Sequence, residues 1–552
     1  MIGSTRGRVG RPQKLTSEVV RIPCPYDGID DRISLVTGDE THCIYTFNLV
    51  PNEQGMKLRK GYREWQLGVE QSEGVSTGVH TLIPFDAVEQ DGLSDKLFAV
   101  NNEGIWEVTI YDDTPVLKLE FGDKSGDAGW GNYVHYTNLG GDDVMFYADS
   151  VNGLFSYDPD TNTWSQAAGI TGLDITKVNF ITVHKSRIWL VEQNSNKAYY
   201  LPPDALAGAV TAFNFGSKFL NGGNVAGLFS WTIDGGAGVD DFLVAVSRAG
   251  DVLVYQGNDP ASVDSWSLQG SYFIGKVPRG ASFGSIQGAD LYLLSIYGLN
   301  SMGELLRGVD SAQMFNSRDT TSPSAKISSI IQQRLSQTID EYGWSVKVIP
   351  TEGGLLVDSP TISPQVDIQY FYKTTTASWG LWRGVPMLCF DTYGDSVYIG
   401  TADSRVMVMD VNVDNALIDP PEGEFNGMAI PFSTLTSYRG LGRPALYKRG
   451  KFIRPDFVGS TYPDISVAAR YDYDLREALL IPDPVPSANQ QSKWDVGIWD
   501  QAVWGGSGLG WSEVEGAWGL GRYVAIAMVG EAREELLFVG WDFTFDSGGP
   551  MV

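Results

Sequence analysis

The chain has 552 residues, among them 40 Lys or Arg, 67 Asp or Glu and 4 His, which gives a formal net charge of −27. Hydrophobic residues make up 43% and aromatic residues 12% of the sequence, enough for a large core, so global disorder is excluded. Charged residues make up only 19%, while the chain contains 64 glycines and 26 prolines. This composition predicts an all-β protein rich in turns and argues against a helical bundle.

The sequence shows no sign of a disulfide framework, a signal peptide or a membrane span. Cys24, Cys43 and Cys389 are too few and too scattered for a disulfide scaffold or a cysteine-based zinc site. Residues 1–14 lack the apolar segment of a signal peptide, and no run of 18 apolar residues is present. We therefore expect synthesis in the cytoplasm, no cofactor and no membrane-spanning segment.

Positive charge is concentrated at the N-terminus. Residues 1–14 contain Arg6, Arg8, Arg11 and Lys14 without an acidic residue, a net charge of +4 that leaves −31 on the remainder. Because Lys and Arg bind nucleic acids by displacing counterions, the acidic remainder is predicted to bind DNA poorly. Residues 1–19 are predicted to form a basic arm that becomes ordered on a neighbouring subunit or partner; a tail without a role is the alternative.

Six segments share one pattern, in which two alternating apolar runs flank a polar or glycine-containing turn. Each segment is typical of a β-hairpin, and the six are Lys96–Asp112, Val144–Trp164, Arg187–Asp204, Phe242–Pro260, Ala289–Met302 and Ser396–Asp410. Successive segments begin 48, 43, 55, 47 and then 107 residues apart. Spacings of about 40–50 residues are typical of propeller blades. With an opening copy expected within residues 20–90, the sequence predicts a β-propeller of about six to seven blades over residues 20–424.

The longest interval between repeats contains one amphipathic helix, inserted into the propeller. Ser322 is suited to cap this helix, Pro323 to its first position and Gly343 to its end. Apolar residues recur along it at steps of three and four, namely Ile327, Ile330, Ile331, Leu335 and Ile339. We expect the helix to pack on the blades; a helix that faces a partner is the alternative.

From about residue 425 the repeat spacing is lost. Strand patterns in AIPFSTLTSY, KRGKFIRPDF, DISVAARYDYD and REELLFVGWDFTFD predict a C-terminal antiparallel, β-sandwich-like domain over residues 425–552. Glycines alternate with a cluster of tryptophans, Trp494, Trp499, Trp504, Trp511 and Trp518. We expect these tryptophans to be buried in an ordered loop or irregular hairpins; a platform for sugar rings is the alternative.

The sequence contains no catalytic motif. The pattern GxSxG occurs at Gly74–Gly78 and Gly280–Gly284, but neither match lies between a strand pattern and a helix pattern, as a nucleophile elbow requires. No glycine-rich phosphate loop is present. The acid pair Asp30 and Asp31 is no more specific for glycoside hydrolysis than other pairs among 67 acidic residues. All four histidines lie in strand-like stretches without a partner motif and are interpreted as structural: His42, His80, His135 and His184. We therefore expect no catalytic residue and no enzyme activity.

Two acidic segments and one basic segment could bind ions or partners. Asp158–Asn162 begins like a calcium loop but lacks the central glycine and the bidentate glutamate. Asp234, Asp240 and Asp241 could hold Ca²⁺, or they could cap backbone amides in a glycine-rich turn, and the sequence leaves this open. A short basic patch is expected to form inter-strand or inter-subunit charge pairs, and it comprises Lys448, Arg449, Lys451 and Arg454.

Several further motifs occur in a fixed order. They include the SRIWLVEQNSNKAYYLP hairpin, the WTIDGGAGVDD loop at Trp231–Asp241 and the VYQGNDP turn at Val254–Pro260. With these motifs, the stretch from Val183 to Gly275 resembles structural proteins of short-tailed bacteriophages that form the tail nozzle, or tail hub, below the portal and adaptor. GWSVKVIPTEGGLLVDSP and TASWGLW are similar to the later blades of that family, and VGWDFTFDSGGPMV to its C-terminal strand. RIPCPYDGIDDRIS and KLRKGYREW extend the resemblance to roughly residues 20–552.

The resemblance implies a structural virion protein that lies in the tail and is made in the host cytoplasm. It implies a ring of six copies, a homohexamer, around a channel for the genome, which the protein could also gate. The implied partners are the adaptor- and portal-side tail proteins, the tail fibres or spikes, and double-stranded DNA in transient, non-specific passage. Acidic walls would let that DNA slide, because they offer no release of counterions.

Two other classes of function remain open. A receptor-binding or adhesin tail protein would use the tryptophans as sugar platforms. A propeller enzyme that degrades polysaccharide would need convergent carboxylates at one end of the propeller axis. The resemblance transfers no enzyme motif, so the nozzle is the expected function.

Overall fold

The computed structural model describes residues 17–32, 38–70, 77–87, 94–234, 239–307, 322–361, 367–421, 426–460, 463–475, 509–511 and 514–548. The four basic residues of the arm, Arg6, Arg8, Arg11 and Lys14, lie outside these segments, whereas its last residues, from Ser17, belong to the first strand. Within them the chain is almost entirely β-structure, which confirms the predicted all-β class. A single helical stretch of 16 residues, from Pro323 to Thr338, is the longest helix among these segments.

The first six strands are short. They are β1 (Ser17–Pro23), β2 (Gly28–Ile29), β3 (His42–Phe47), β4 (Leu49–Asn52), β5 (Gly55–Leu58) and β6 (Gly61–Gln66). The sequence predicts an opening blade within residues 20–90, but β1–β5 pair in two large sheets that also contain the C-terminal strands. The partners of β1 lie more than 500 residues away, as in the pair Ser17–Asp546, so no local pattern could reveal them.

The first four blades are four-stranded antiparallel sheets. Blade one contains β7 (Thr81–Phe85), β8 (Lys96–Val100), β9 (Gly104–Glu107) and β10 (Val116–Glu120). Blade two contains β11 (Gly131–Thr137), β12 (Asp143–Asp149), β13 (Gly153–Asp158) and β14 (Thr163–Gln166). The next strands are β15 (Ile170–Thr171), then β16 (Val178–His184), β17 (Arg187–Glu192), β18 (Lys197–Tyr200), β19 (Gly208–Ala209) and β20 (Thr211–Asn214). Blade three is β16, β17, β18 and β20, whereas β15 pairs with β19.

Blade four contains β21 (Val225–Asp234), β22 (Val239–Ser247), β23 (Asp251–Gly257) and β24 (Trp266–Phe273). Blade five has three strands, β25 (Gly284–Gln287), β26 (Asp290–Ser295) and β27 (Gly298–Ser301). After helices α1 (Met302–Leu306) and α2 (Ser328–Thr338) come β28 (Ser345–Ile349), β29 (Gly354–Asp358), β30 (Ile368–Lys373) and β31 (Ser378–Arg383). Blade six contains β32 (Cys389–Tyr393), β33 (Ser396–Gly400) and β34 (Val406–Val411), with β6 as its outer strand.

The predicted propeller is confirmed. Each of the six hairpin segments supplies the second and third strands of one blade, so six separate small sheets form the blades. Innermost strands meet around the axis, where β11 contacts β7 and β16, and β32 contacts β28 and β7. Strands β28–β31 occupy the sector between blades five and six and continue into a nine-stranded sheet. The N-terminal β6 closes the ring by pairing with the last propeller strand, β34.

Aromatic side chains fill the space between neighbouring blades. The indole rings of Trp189 in blade three and Trp266 in blade four stack with centroids 6.0 Å apart. Tyr255 stacks on Trp266 at 5.7 Å, and Phe213 meets Tyr255 edge-on at 5.5 Å. Since one small sheet cannot bury both of its faces alone, these contacts make the blades mutually dependent.

The predicted helix is confirmed, with two differences at its ends. A 3-10 turn over Pro323–Ile327 precedes α2, and the helix ends at Thr338 rather than at Gly343. Ser322 does not cap the helix, because its hydroxyl donates to the Leu299 carbonyl oxygen. The side chain of Asp31 takes that role, with Oδ2 accepting from the Ser329 amide at 2.7 Å.

One face of α2 is buried in the propeller. Ile331 and Leu335 are fully buried with the preceding Ile327 in the same core as Leu291 and Leu299 of blade five. The helix therefore packs on the blades, as expected. The short helix α1 was not predicted; Ser301 caps it by accepting from the Glu304 amide at 3.2 Å.

The C-terminal strands form two packed sheets together with β1–β5. They are β35 (Ile430–Thr436), β36 (Lys448–Gly459), β37 (Asp464–Tyr471), β38 (Leu509–Trp511), β39 (Glu515–Gly516), β40 (Leu520–Gly521), β41 (Val524–Ala532) and β42 (Leu536–Ser547). Antiparallel β36, β42 and β1 belong to one sheet, and β3, β35, β41 and β37 to the other. Both sheets contribute to one core, from Phe457, Trp541 and Phe543 to Phe432 and Met528. The predicted antiparallel β-sandwich is therefore present, while the domain boundary at residue 424 stays a prediction.

A buried arginine joins the propeller to this sandwich. Arg59 lies between β5 and β6, and its guanidinium makes two hydrogen bonds of 2.8 and 2.7 Å to the Asp414 carboxylate. It also donates to Asn48 Oδ1 at 2.9 Å and to the carbonyl oxygens of Lys60 and Arg383. The Arg59 side chain is 0% exposed, so all five of its N–H groups are satisfied inside the protein.

Candidate functional site

Side chains fill the middle of the propeller axis. Lys347 on β28 forms an ion pair with Asp391 on β32, and the Tyr133 hydroxyl on β11 donates to Asp391 Oδ2 at 2.5 Å. Burial, followed by the charge of Asp391, raises the pKa of Tyr133 well above its usual range, which keeps the hydroxyl protonated. The cavity next to this cluster is about 30 Å³, room for one or two water molecules. The axis at this level has no room for a DNA strand.

Four planar groups stack in a column beside the filled axis. His80 stacks on Trp130 with ring centroids 4.4 Å apart, and Trp130 stacks on Tyr342 at 5.7 Å. The Arg279 guanidinium lies 4.1 Å from the Tyr342 centroid and pairs with Asp127 at 2.6 Å. Both faces of the Trp130 and Tyr342 rings are therefore covered by neighbours.

A polar cavity of about 420 Å³ opens at one end of the axis next to this column. Four carboxamide side chains contribute to its wall, Asn179, Gln193, Asn194 and Asn224. Ser150 and Tyr342, whose hydroxyl oxygens lie 3.0 Å apart, also line the cavity. Asn179 Oδ1 is buried and has no hydrogen-bond partner among the described residues.

The charge in this axial cavity comes mainly from Arg248. Its guanidinium donates to the Pro278 carbonyl oxygen, and its nearest carboxylate oxygen, on Asp340, lies 3.9 Å away. Asp340 is already bound by Lys276 at 2.6 Å. The Arg248 side chain is only 29% exposed, and burial lowers its pKa. Its positive charge is thus partly buried without a directly bonded carboxylate.

The cavity residues were not identified from the sequence, although the repeats contain a signal for them. Ser150, Gln193 and Arg248 each come directly after the second strand of their blade, β12, β17 and β22. Aligning the hairpin segments would place these three polar residues at one equivalent position. No local motif joins them to Asn179, which lies on β16, or to Tyr342, which lies between α2 and β28.

Blades one and two are rich in carboxylates, and part of these lie on the side of the propeller opposite the axial cavity. Residues 101–175 contain 13 acidic residues and two lysines, a net charge of −11. Six exposed carboxylates at this side form no ion pair with any residue of the described segments. We call them the acidic face: Asp86, Asp112, Asp113, Asp142, Asp158 and Asp160.

Strand direction separates the acidic face from the axial cavity. The residues of the acidic face lie at the end of, or after, the first and third strands of their blades, namely β7, β9, β11 and β13. Ser150, Gln193 and Arg248 follow second strands, which run in the opposite direction. Because neighbouring strands in these sheets are antiparallel, the two sets of residues lie on opposite sides of the propeller.

The four histidines have structural surroundings. His42 contacts the Thr41 hydroxyl at 3.4 Å, and His80 bonds the Ala128 carbonyl oxygen through Nδ1 at 2.9 Å. His135 Nε2 lies 2.6 Å from Asp143. His184 Nδ1 lies 2.9 Å from Ser230 Oγ, but His184 is only 2% exposed, so the pair is closed to a substrate.

Burial of His184 makes stability depend on pH. Burial, and then the nearby charge of Lys185, lowers the pKa of His184 to about 4, whereas its ordinary value is 6.5. The unfolded chain therefore binds this proton first, and stability is expected to fall as the pH decreases from 6.5 to 4. This one group contributes up to about 3 kcal/mol. Urea unfolding of wild type and His184→Gln should show a difference that shrinks by that amount over this range. A difference independent of pH would contradict the expectation.

In the two acidic segments singled out from the sequence, the side chains of Asp158 and Asp241 form hydrogen bonds with residues of the chain itself. Asp158 Oδ1 accepts from the Asp160 amide at 3.0 Å, the hydrogen bond of an Asx-turn. Asp241 accepts from Lys185 and from Thr232 Oγ1 at 2.7 Å. The side chains of Asp234 and Asp240 lie outside the described part of the structure. No group of three or more His, Cys, Asp or Glu that could hold a metal is found among the described residues.

Asp30 and Asp31 do not form a catalytic pair. Asp30 accepts from the Arg32 guanidinium at 2.8 Å, and Asp31 caps α2. The three cysteines, Cys24, Cys43 and Cys389, are buried and free. Burial raises the pKa of all three thiols, to about 12 for Cys24 and Cys389, so they are poor nucleophiles.

The basic patch forms pairs between strands of the sandwich. Lys451 on β36 binds Asp546 on β42 at 2.9 Å, and Arg454 binds Asp542. Lys448 is buried and donates to backbone carbonyl oxygens, while Arg449 is exposed. These contacts agree with the inter-strand interpretation of the patch.

The tryptophan cluster lies largely beyond what the structure describes. Trp494, Trp499 and Trp504 fall outside the described residues, as does the side chain of Trp511. Trp518 is 79% exposed, whereas the sequence predicts a buried position. Across the described segments, no helix is both long and apolar enough to cross a membrane.

No protein-family model matches the chain, and no curated protein matches it. Among solved structures, the WD40 domain of Pan2 from Neurospora crassa is 9% identical over 65% of this chain and 95% of that domain, with a TM-score of 0.38. The extracellular domain of a hybrid two-component system from B. thetaiotaomicron is 11% identical over 64% of this chain and 40% of that one, also at 0.38. The computationally designed protein Ika8 is 8% identical over 64% of this chain and 100% of its own, at 0.33. Similarities this weak do not bear on function.

Proposed function

We propose that the chain is a structural subunit of the tail nozzle, or tail hub, of a short-tailed bacteriophage. Copies of the subunit form a ring, and the acidic face of each copy lines a conduit for the genome. The acidic face carries the proposal, since six exposed carboxylates without ion-pair partners are gathered on one side of two blades. The choice of family rests on the resemblance of the sequence motifs, which occur in a fixed order between residues 20 and 552.

In such a conduit the negative charge of the acidic face would keep DNA from binding to the wall. DNA gains affinity for a surface when cations of the protein release counterions from the phosphates, and carboxylates offer no such release. A wall of like charge therefore keeps the duplex from adhering while it passes. Because side chains fill the axis of each propeller, the conduit lies between copies and not through a single subunit.

The proposal assigns a place and partners to the protein. It is made in the host cytoplasm and lies in the virion tail, as a ring of six copies below the adaptor. The portal-side tail proteins and the tail fibres or spikes contact the ring, and double-stranded DNA passes it without specific binding. The chain carries no catalytic task, so the ring conducts the genome and can gate it.

Imaging of the purified full-length protein tests the ring. Negative-stain electron microscopy with light scattering should show rings of about six copies with a central hole. A second sample, with Arg6, Arg8, Arg11 and Lys14 replaced by Gln, should form fewer rings if the basic arm docks on a neighbour. If this variant forms as many rings as the wild type, the arm has no role in assembly. If the wild-type protein is a monomer at every concentration in solution and in the virion, the proposed ring is wrong.

A further inference from the structure

The axial cavity has the size and position of a binding site. Its volume of about 420 Å³ falls within the range typical of small-molecule pockets, about 300–1,000 Å³. Gln193 and Asn194 at its wall are exposed, so a ligand can enter from solvent. The site stands apart from the acidic face, on the opposite side of the propeller.

The charge of the axial cavity selects an anion. Arg248 is partly buried, and its only bonded acceptor given by the structure is the carbonyl oxygen of Pro278. The other cations nearby are engaged, Arg279 with Asp127 and Lys276 with Asp340. Because Arg248 is the one described cation of the cavity wall that is not paired at short distance with a carboxylate, the site favours a ligand with a single negative charge. A dianion such as phosphate would meet the Asp340 carboxylate without a second cation to balance it.

The rest of the wall selects hydroxyl groups. A carboxamide both donates and accepts hydrogen bonds, as a sugar hydroxyl does, and the wall offers four carboxamides. Asn179 Oδ1 is buried without a partner, so a hydroxyl donor would satisfy it. The faces of Trp130 and Tyr342 are covered, which disfavours flat aromatic ligands that need a stacking surface.

We infer that the axial cavity binds a carboxylate-bearing sugar, with Arg248 holding the carboxylate and the carboxamides holding the hydroxyl groups. A hexuronate such as D-glucuronate is the simplest ligand of this class. The inference does not depend on the nozzle function, because the cavity and the acidic face share no residue.

Isothermal titration with D-glucuronate, D-glucose and inorganic phosphate on the full chain tests the site. Glucuronate should bind saturably, and glucose at least about tenfold more weakly. A hydrogen bond to a charged group is worth enough that Arg248→Gln should weaken glucuronate binding about 10- to 100-fold. Arg307→Gln is the matched control: it removes an exposed guanidinium that follows α1, is paired with Glu304 and does not line the cavity, so the affinity should stay unchanged.

A second variant guards against misfolding of the first. Gln193 is exposed, so Gln193→Ala should fold normally and weaken glucuronate about 3- to 10-fold, as expected for loss of a neutral hydrogen bond. Phosphate that binds as tightly as glucuronate, and is lost with it in Arg248→Gln, would show a simple anion site and overturn the inference. Absence of saturable glucuronate binding would overturn it as well.

Discussion

Replacing Arg59 with methionine is expected to lower the free energy of unfolding by about 3–5 kcal/mol. The substitution keeps most of the side-chain volume and removes the positive charge from a site that is 0% exposed. Asp414, itself 7% exposed, would then be a buried carboxylate without its cation. Urea unfolding followed by tryptophan fluorescence measures the loss.

The matched control lies four residues away in the chain. Arg63 also makes a two-point contact with a carboxylate, that of Asp410, but these side chains are 26% and 31% exposed. Solvent screens such a pair, so Arg63→Met should cost less than about 1 kcal/mol. If Arg59→Met cost no more than Arg63→Met, burial would not be the source of the effect.

A double variant separates the unpaired charge from the lost packing. Replacing Arg59 by Met and Asp414 by Leu together removes both charges, so part of the stability should return. The recovery is incomplete, because the carbonyl oxygens of Lys60 and Arg383 still lose their donor. A double variant as unstable as Arg59→Met alone would show that the carboxylate is not what destabilises the single variant.

The sequence predicts the middle of each blade better than its rim. The second and third strands alternate between buried and exposed faces or are wholly apolar, so their hairpins are visible as patterns. Outer strands such as β14 and β20 are mostly exposed and polar, and they resemble loops. The hairpin pattern does not reveal strands β28–β31, because β29 ends at Asp358 and β30 begins only at Ile368, too far apart for a short turn.

Long-range pairing and the site are harder to predict, for a different reason. Strand β1 pairs with β42, and β6 closes blade six, across several hundred residues. The axial cavity likewise gathers Asn179, Arg248 and Tyr342 from separate parts of the propeller. Asn179 and Tyr342 come close to Arg248 only after the ring has closed, and no motif in the sequence joins them to it. Net charge, in contrast, can be read from the sequence alone, and it predicts an acidic body without showing on which side of the propeller the carboxylates gather.

Charge reversal on the acidic face is expected to slow genome release. Virions would carry lysine at five exposed positions of this face, Asp86, Asp112, Asp113, Asp142 and Asp160. Each lysine can neutralise a phosphate and release counterions, so the purified variant should bind duplex DNA with a log–log salt slope of up to about −4.5, against no measurable binding for wild type. In a ring the copies act together, and receptor-triggered DNA release should slow by at least about tenfold.

A control variant has the same change in net charge, but its five substitutions lie outside the acidic face. Lysine replaces five exposed acids outside the acidic face, Glu53, Asp123, Asp174, Glu341 and Asp419. If the acidic face lines the conduit, this control releases DNA at the wild-type rate even though its net charge equals that of the test variant. Equal slowing in both would mean that overall charge governs release, and normal release in both would remove the acidic face from the path of the genome. The position of the charges, and not their number, is therefore what the comparison measures.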